Sequence, residues 1–148
     1  MLPAEVVRLL AGEPDDDAWE PVAQLLTTDD DRYPRVCLLS RAELAAADDA
    51  VGCVLRARHT LANLRRDGRA LLVVTGERAA HYLRLRTREF AEVQDGSGRA
   101  AVAFDVTGAT ADTLGIPLRP MMFRASSRVR RLEHADSNHE FLERLGFR

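Results

Sequence analysis

Short apolar runs, each about the length of a strand and separated by turn-forming clusters, recur along this chain and constrain its fold more than any other feature. The first run covers residues 22–28 and stops at Asp29-Asp30-Asp31-Arg32-Tyr33-Pro34. PRVCLLS follows, apolar at every position from Val36 to Leu39, as in a strand covered on both faces. A polar, alanine-rich connection (RAELAAADD) leads to a third run, AVGCVLRAR. RALLVV is the fourth and closes at Thr75-Gly76-Glu77. Residues 80–93 set Leu83 and Leu85 against Arg84 and Arg86, the alternation of a half-exposed strand, with Arg84, Arg86 and Arg88 towards solvent. Beyond the turn Gly96-Ser97-Gly98, AAVAFDV places Val102, Phe104 and Val106 on one face. Residues 107–120 read as irregular because Gly108, Gly115, Pro117 and Pro120 interrupt them. MMFRASSRVRRL reads as a further strand with Met121, Phe123 and Val129 on one side.

Helical spacing occurs three times. AEVVRLL is a short amphipathic helix ending at Gly12 and Pro14, and Asp15–Asp17 connects it to the first strand. HTLANLRRDG suits one or two turns, with Thr60 as N-cap and Gly68 just past the end. SNHEFLERLGF carries a Ser137-x-x-Glu140 capping box and stops at Gly146. Six or seven strands with one helix between the third and fourth leave too few helices to cover a parallel sheet. The expected architecture is therefore mainly β, an antiparallel barrel of Greek-key type with short flanking helices, in one domain over residues 1–148.

Composition narrows the chemistry. With 46% hydrophobic residues the chain can build a core. A net charge of −2 leaves no basic footprint, so no nucleic-acid partner is expected. No apolar run approaches the roughly 18–20 residues of a membrane span, and the N-terminus lacks a basic start, so the expectation is a cytoplasmic protein without a membrane partner. All 21 basic residues are arginine. Schiff-base and lysine general-base chemistry are thereby excluded, and a phosphate would be held by arginine, hydroxyls or backbone amides.

Cys37 and Cys53 sit in apolar runs and read as buried small hydrophobes. Dinucleotide, P-loop, zincin and nucleophile-elbow motifs are missing. His134 and His139 are five residues apart, which does not place both on one helical face, and no metal site is expected. The acidic runs read as solvated turns, and no side chain is nominated as catalytic. One local constellation stands out. Arg56-x-Arg58 ends the third strand, and His59, Thr60, Leu61, Ala62 and Asn63 open a helix. A helix start with an added guanidinium and hydroxyl can bind phosphate, although Thr-x-x-Asn is equally an ordinary helix cap.

The succession LLTTDDDRYPRVCLLS and AVGCVLRARHTLANLRRDGRALLVV, with Asn63-Leu64-Arg65-Arg66-Asp67-Gly68-Arg69 closing the helix, resembles the pyridoxamine 5′-phosphate oxidase-like split β-barrel family. The resemblance covers roughly residues 20–90. It implies a homodimer binding FMN in two interfacial clefts and a flavin-dependent oxidoreductase acting with a small-molecule substrate or electron donor. Arg35, Val36, Cys37 and Leu38 would line the cofactor, with Arg35 near its phosphate or ribityl chain. Arg58, His59 and Thr60 would hold the phosphate. Asn63 would bind or brace the turn, and His81 and Tyr82 would reach the flavin from the neighbouring subunit. Two departures stand against the namesake reaction. Thr60 occupies the place of a usual lysine, and the family's C-terminal Trp/Arg-Pro segment is missing. F420 or haem, or a non-enzymatic binding role, are the alternatives to FMN.

Overall fold

A computed structural model describes residues 1–12, 17–113, 115–132 and 134–147. Its elements run α1 (Ala4–Leu10), β1 (Trp19–Pro21), β2 (Ala23–Thr28), β3 (Pro34–Leu39), β4 (Leu44–Ala47), β5 (Ala50–Leu55), α2 (Arg58–Asp67) and β6 (Arg69–Thr75). β7 (Ala80–Glu92), β8 (Ala100–Asp112), β9 (Met122–Arg124), α3 (Ser127–Leu132) and α4 (Ala135–Arg144) complete the chain. A seven-stranded antiparallel sheet in the order β3-β2-β6-β7-β8-β5-β4 curls around one core, and β1 pairs separately with β9. The mainly β, antiparallel architecture matches the expectation.

Local chemistry explains much of the path. The turn before β3 forms because Asp29 Oδ1 accepts from the Asp31 and Tyr33 amides at 3.0 and 2.9 Å. α2 ends where Gly68 adopts φ 67°, a left-handed position that glycine takes without penalty. The inner sheet face supplies Leu25, Leu72, Leu83, Val102 and Phe104, and α1 and α2 close the core with Val6, Leu10, Leu61 and Leu64. A second cluster lies outside the sheet. There Leu142 of α4, with Leu145 and Phe147 just beyond its end, packs on Ala50, Val54, Ala101 and Ala103, so β5 is buried on both faces.

Several expectations need correction. Leu44–Ala47 is a strand and not a connection, because Leu44 and Ala46 enter the core and the segment pairs with β5. Residues 107–112 are not irregular: they extend β8 along the start of β7 beyond register shifts at Arg84/Leu85 and Thr87/Glu89. Only Met122–Arg124 of the last expected strand is extended, and Ser127–Leu132 is helical. Thr60 does not cap α2. The helix begins two residues earlier, with Ala57 at the cap position and Thr60 buried inside the first turn. Ser137-x-x-Glu140 is not a capping box either, since α4 starts at Ala135 and the Ser137 hydroxyl donates to the His134 carbonyl at 3.2 Å. The capping box sits instead at Ser40/Glu43, on the 3₁₀ turn between β3 and β4.

β3 also differs from expectation. It is an edge strand with Leu39 buried, Cys37 only half-buried, and Val36 and Leu38 each 53% exposed. Among the described residues of one chain its outer face is left largely uncovered. Asp15 and Asp16 of the acidic connection lie outside the described residues.

Candidate functional site

Where the end of β3 approaches the end of β5, the sheet opens into a cleft of about 450 Å³, within the range of ordinary ligand sites. Cys37, Leu38, Leu39 and Ser40 come from β3 and its exit, and Val54, Leu55, Arg56 and Ala57 from β5 and the approach to α2. Phe123, Val129, Leu132 and His134 of the C-terminal segment form the opposite wall.

The base of the cleft is held by a buried arginine. Arg99 donates to Asp95 Oδ2 at 2.6 Å, Asn138 Oδ1 at 2.6 Å, and the Ser97 and Ser137 hydroxyls at 3.0 Å each. Asn138 Nδ2 in turn donates to the Ala42 carbonyl at 3.1 Å, tying α4 to the turn after β3. The Ser97 hydroxyl and the Arg99 guanidinium hold the Asp95 carboxyl far below the usual carboxylate range. Glu43 Oε2 accepts from the Ser40 amide at 2.9 Å, which leaves that carboxylate engaged at the cleft wall. On the core side of β5, burial pushes the Cys53 thiol up, so it stays a neutral thiol and not a nucleophile.

The start of α2 opens beside this cleft. Its cap residue, Ala57, has no side-chain acceptor, so the first-turn amides of Arg58, His59 and Thr60 lack a side-chain cap. Arg56, Arg58 and His59 are exposed, and neither arginine forms an ion pair among the described residues. Amide donors, the positive end of a helix and two unengaged guanidinia suit an anion.

The structure brings some of the expected residues together and separates others. Cys37 lines the cleft from the inner face of β3 and Leu38 from the outer face, while Val36, on the same face as Leu38, lies outside the cleft. Arg35 lies opposite Thr27 on β2, and Thr27 Oγ1 accepts from Asn63 Nδ2 at 3.0 Å. Asn63 Oδ1 accepts from Arg66 at 3.2 Å, and Arg66 also reaches Asp30 and the Thr28 carbonyl. Asn63 is therefore a brace between α2 and the β2–β3 turn. Arg58 borders a neighbouring groove and not the cleft itself.

His81 is buried, with Nε2–H donating to Glu5 of α1 at 3.0 Å, and is not among the residues that line the cleft. Tyr82 is half-buried on the outer face, opposite Val73 and Thr110. His139 Nε2–H donates to the Arg41 carbonyl at 3.2 Å. The sequence reading missed Ser40, Arg99 and the whole C-terminal wall. Arg99 carried one signal, an arginine directly after a Gly-Ser-Gly turn, but nothing local marks its distant partners.

No protein-family model matches the sequence, and no curated protein matches it. Solved structures do match. One is an F420 reductase, superposing with a TM-score of 0.56 at 12% identity over 74% of this chain and 98% of the other. The styrene monooxygenase flavin reductase from Pseudomonas putida S12 gives 0.56 at 11% identity, over 73% and 88%. A Clostridium acetobutylicum protein related to general stress protein 26, of the pyridoxinephosphate oxidase family, gives 0.51 at 12% over 71% and 86%. The fold is a split β-barrel. Near-complete coverage of those chains at such low identity means that the split barrel is retained while most of its side chains differ. What the cleft binds is therefore set by this chain's own residues.

Proposed function

We propose that this split barrel binds FMN in the cleft between β3 and β5 and acts as a flavin-dependent oxidoreductase. One observation carries the reading: α2 begins without a side-chain cap, flanked by Arg56 and Arg58, beside a largely apolar cleft of about 450 Å³. In this assignment the first-turn amides and the two guanidinia hold the phosphate, with Arg35, at the start of β3, as a further cation. Leu38, Val54, Leu55 and Phe123 supply apolar walls that keep water from a flat ring system. The flavin, when bound, supplies the hydride or electron transfer, and the protein orients and shields it. The substrate or donor is a small molecule, with a nicotinamide cofactor as the first candidate. Oxidation of pyridoxamine phosphate is not proposed, because Thr60 is buried within α2 and no lysine exists in the chain.

A homodimer belongs to the same proposal. Cross-strand partners share a sheet face, so Val36, Leu26 and Leu71 form one apolar row and Leu38, Val73 and Tyr82 a second, with Gln24 set between Leu38 and Val73 and Arg84 beyond Leu71. A second copy laid on those rows would cover the exposed face of β3.

Dialysis against FMN followed by absorbance spectroscopy and anaerobic NAD(P)H titration tests the reading. A yellow protein bleached by NAD(P)H supports the enzyme, and a yellow protein that stays inert supports a binding or storage role. Mass spectrometry of extracted ligand separates FMN from F420 and haem. A protein that acquires no flavin overturns the proposal.

A further inference from the structure

α3 spans only six residues, Ser127–Leu132, and buries none of them. A helix this short does not hold by itself in water, because nucleating it costs more than its few hydrogen bonds return. Both of its ends are nevertheless fixed. Before it, Ala125 is buried and joined to the chain just ahead of β1, donating to the Ala18 carbonyl at 2.8 Å and accepting from the Asp17 amide at 3.0 Å. After it, the His134 carbonyl accepts from the Asn138 amide at 2.9 Å and from the Ser137 hydroxyl at 3.2 Å, and Asn138 is the buried residue held by Arg99. His134 itself takes φ 55°, a left-handed bend that separates α3 from α4. Between these anchors α3 is amphipathic. Val129 and Leu132, three residues apart on one face, line the cleft, while Arg128 and Arg131 are exposed. Leu132 stays 64% exposed although it borders that space. The Arg130–Asp136 pair to α4, at 3.4 Å with Asp136 at the surface, adds little. Among the described residues nothing buries the apolar side of α3, and the space that side faces is the cleft.

We propose that α3 is a lid over the cleft, with Val129 and Leu132 closing onto the bound ligand. The inference rests on the cleft being a flavin site and adds two ligand-contacting side chains from a segment outside the seven-stranded sheet. Burial of Val129 and Leu132 against an apolar ring face is the gain that drives closure. The closed helix also completes the exclusion of water from the cleft. Anchored ends confine the movement to α3 and the bends on either side of it.

The test follows α3 in the full chain, with and without FMN, by amide hydrogen exchange and by trypsin, which cuts after Arg128, Arg130 and Arg131. In the ligand-free protein α3 should exchange and be cut well before α4. Saturating FMN should slow both at α3 by about tenfold or more. Val129→Ser combined with Leu132→Ser should bind FMN about tenfold or more weakly. The Tm of that variant without ligand should match wild type, because neither side chain is buried there. FMN bound with exchange and cleavage at α3 unchanged, or bound equally well by the double variant, overturns the lid and leaves the flavin cleft intact. Protection of α3 that rises with protein concentration in the absence of FMN would assign the helix to contact between copies and overturn the lid as well. A wild-type protein that takes up no FMN ends the flavin reading and the lid with it.

Discussion

Adding one methyl group at residue 52 is expected to loosen the C-terminal helix. Gly52 lies on the outer face of β5, directly beneath α4. A Cβ there would sit 2.8 Å from Leu142 Cδ2 and 2.8 Å from both Cδ2 and Cε2 of Phe147. Ordinary carbon contacts are about 3.5–4.0 Å, so both side chains must retreat by most of an ångström. Overpacking of this kind costs about 1–3 kcal/mol. Against it, replacing a strand glycine by alanine gains about 0.5–1 kcal/mol in backbone entropy. The net expectation for Gly52→Ala is a loss of up to about 2.5 kcal/mol, centred near 1 kcal/mol, or roughly 2–4 °C in Tm at that centre for a chain of this size. Urea unfolding should show a lower midpoint at unchanged slope. Leu142→Ala should cost about 2–5 kcal/mol alone. In that background Gly52→Ala should cost less than it does alone, because the Leu142 clash is gone and the Phe147 ring can retreat into the space left behind. A Gly52→Ala protein more stable than wild type, or strictly additive costs in the double variant, would refute the packing argument.

Three further outcomes are expected. Arg58→Ala should weaken FMN by about 1.5–3 kcal/mol for each charge-assisted hydrogen bond removed, read by fluorescence titration, and an unchanged affinity would move the phosphate elsewhere. Val36→Glu combined with Leu38→Glu should shift sedimentation from dimer to monomer mass with the fold intact, whereas a wild-type protein that is already monomeric removes the interface. Asp95 is held far below its ordinary pKa of about 3.9, so its contribution is present above that value and is lost only as the pH falls through the lower folded-state value. Carboxyl NMR should therefore find Asp95 still ionised at pH 4, and a midpoint near 4 would contradict its contacts with Ser97 and Arg99.

What the sequence determined by itself was local. The alternation of Leu83 and Leu85 with Arg84 and Arg86 gave β7 and its faces, because side chains alternate across a strand. Asp29 and Gly68 marked a turn and a helix end because each supplies its own conformational preference. The resemblance over residues 20–90 gave the split barrel. What the sequence hid were features that depend on distant partners. Leu44–Ala47 has weak intrinsic strand preference and becomes β4 only because β5 offers hydrogen bonds and the core accepts Leu44. Gly108 interrupts the apolar pattern, yet β7 holds that stretch extended.

The cleft was divided in the same way. Cys37 and Leu38 were readable from the β3 motif, while the wall from Phe123 to His134 and the Arg99 base join segments far apart in the chain. The uncapped start of α2 was also a tertiary outcome. Asn63 is committed to Thr27 and Arg66, Thr60 is drawn into the first turn, and the helix begins at Arg58 beside the cleft. Periodicity sets which face of an element is apolar; only packing decides which faces meet, and so which polar groups are left free for a ligand.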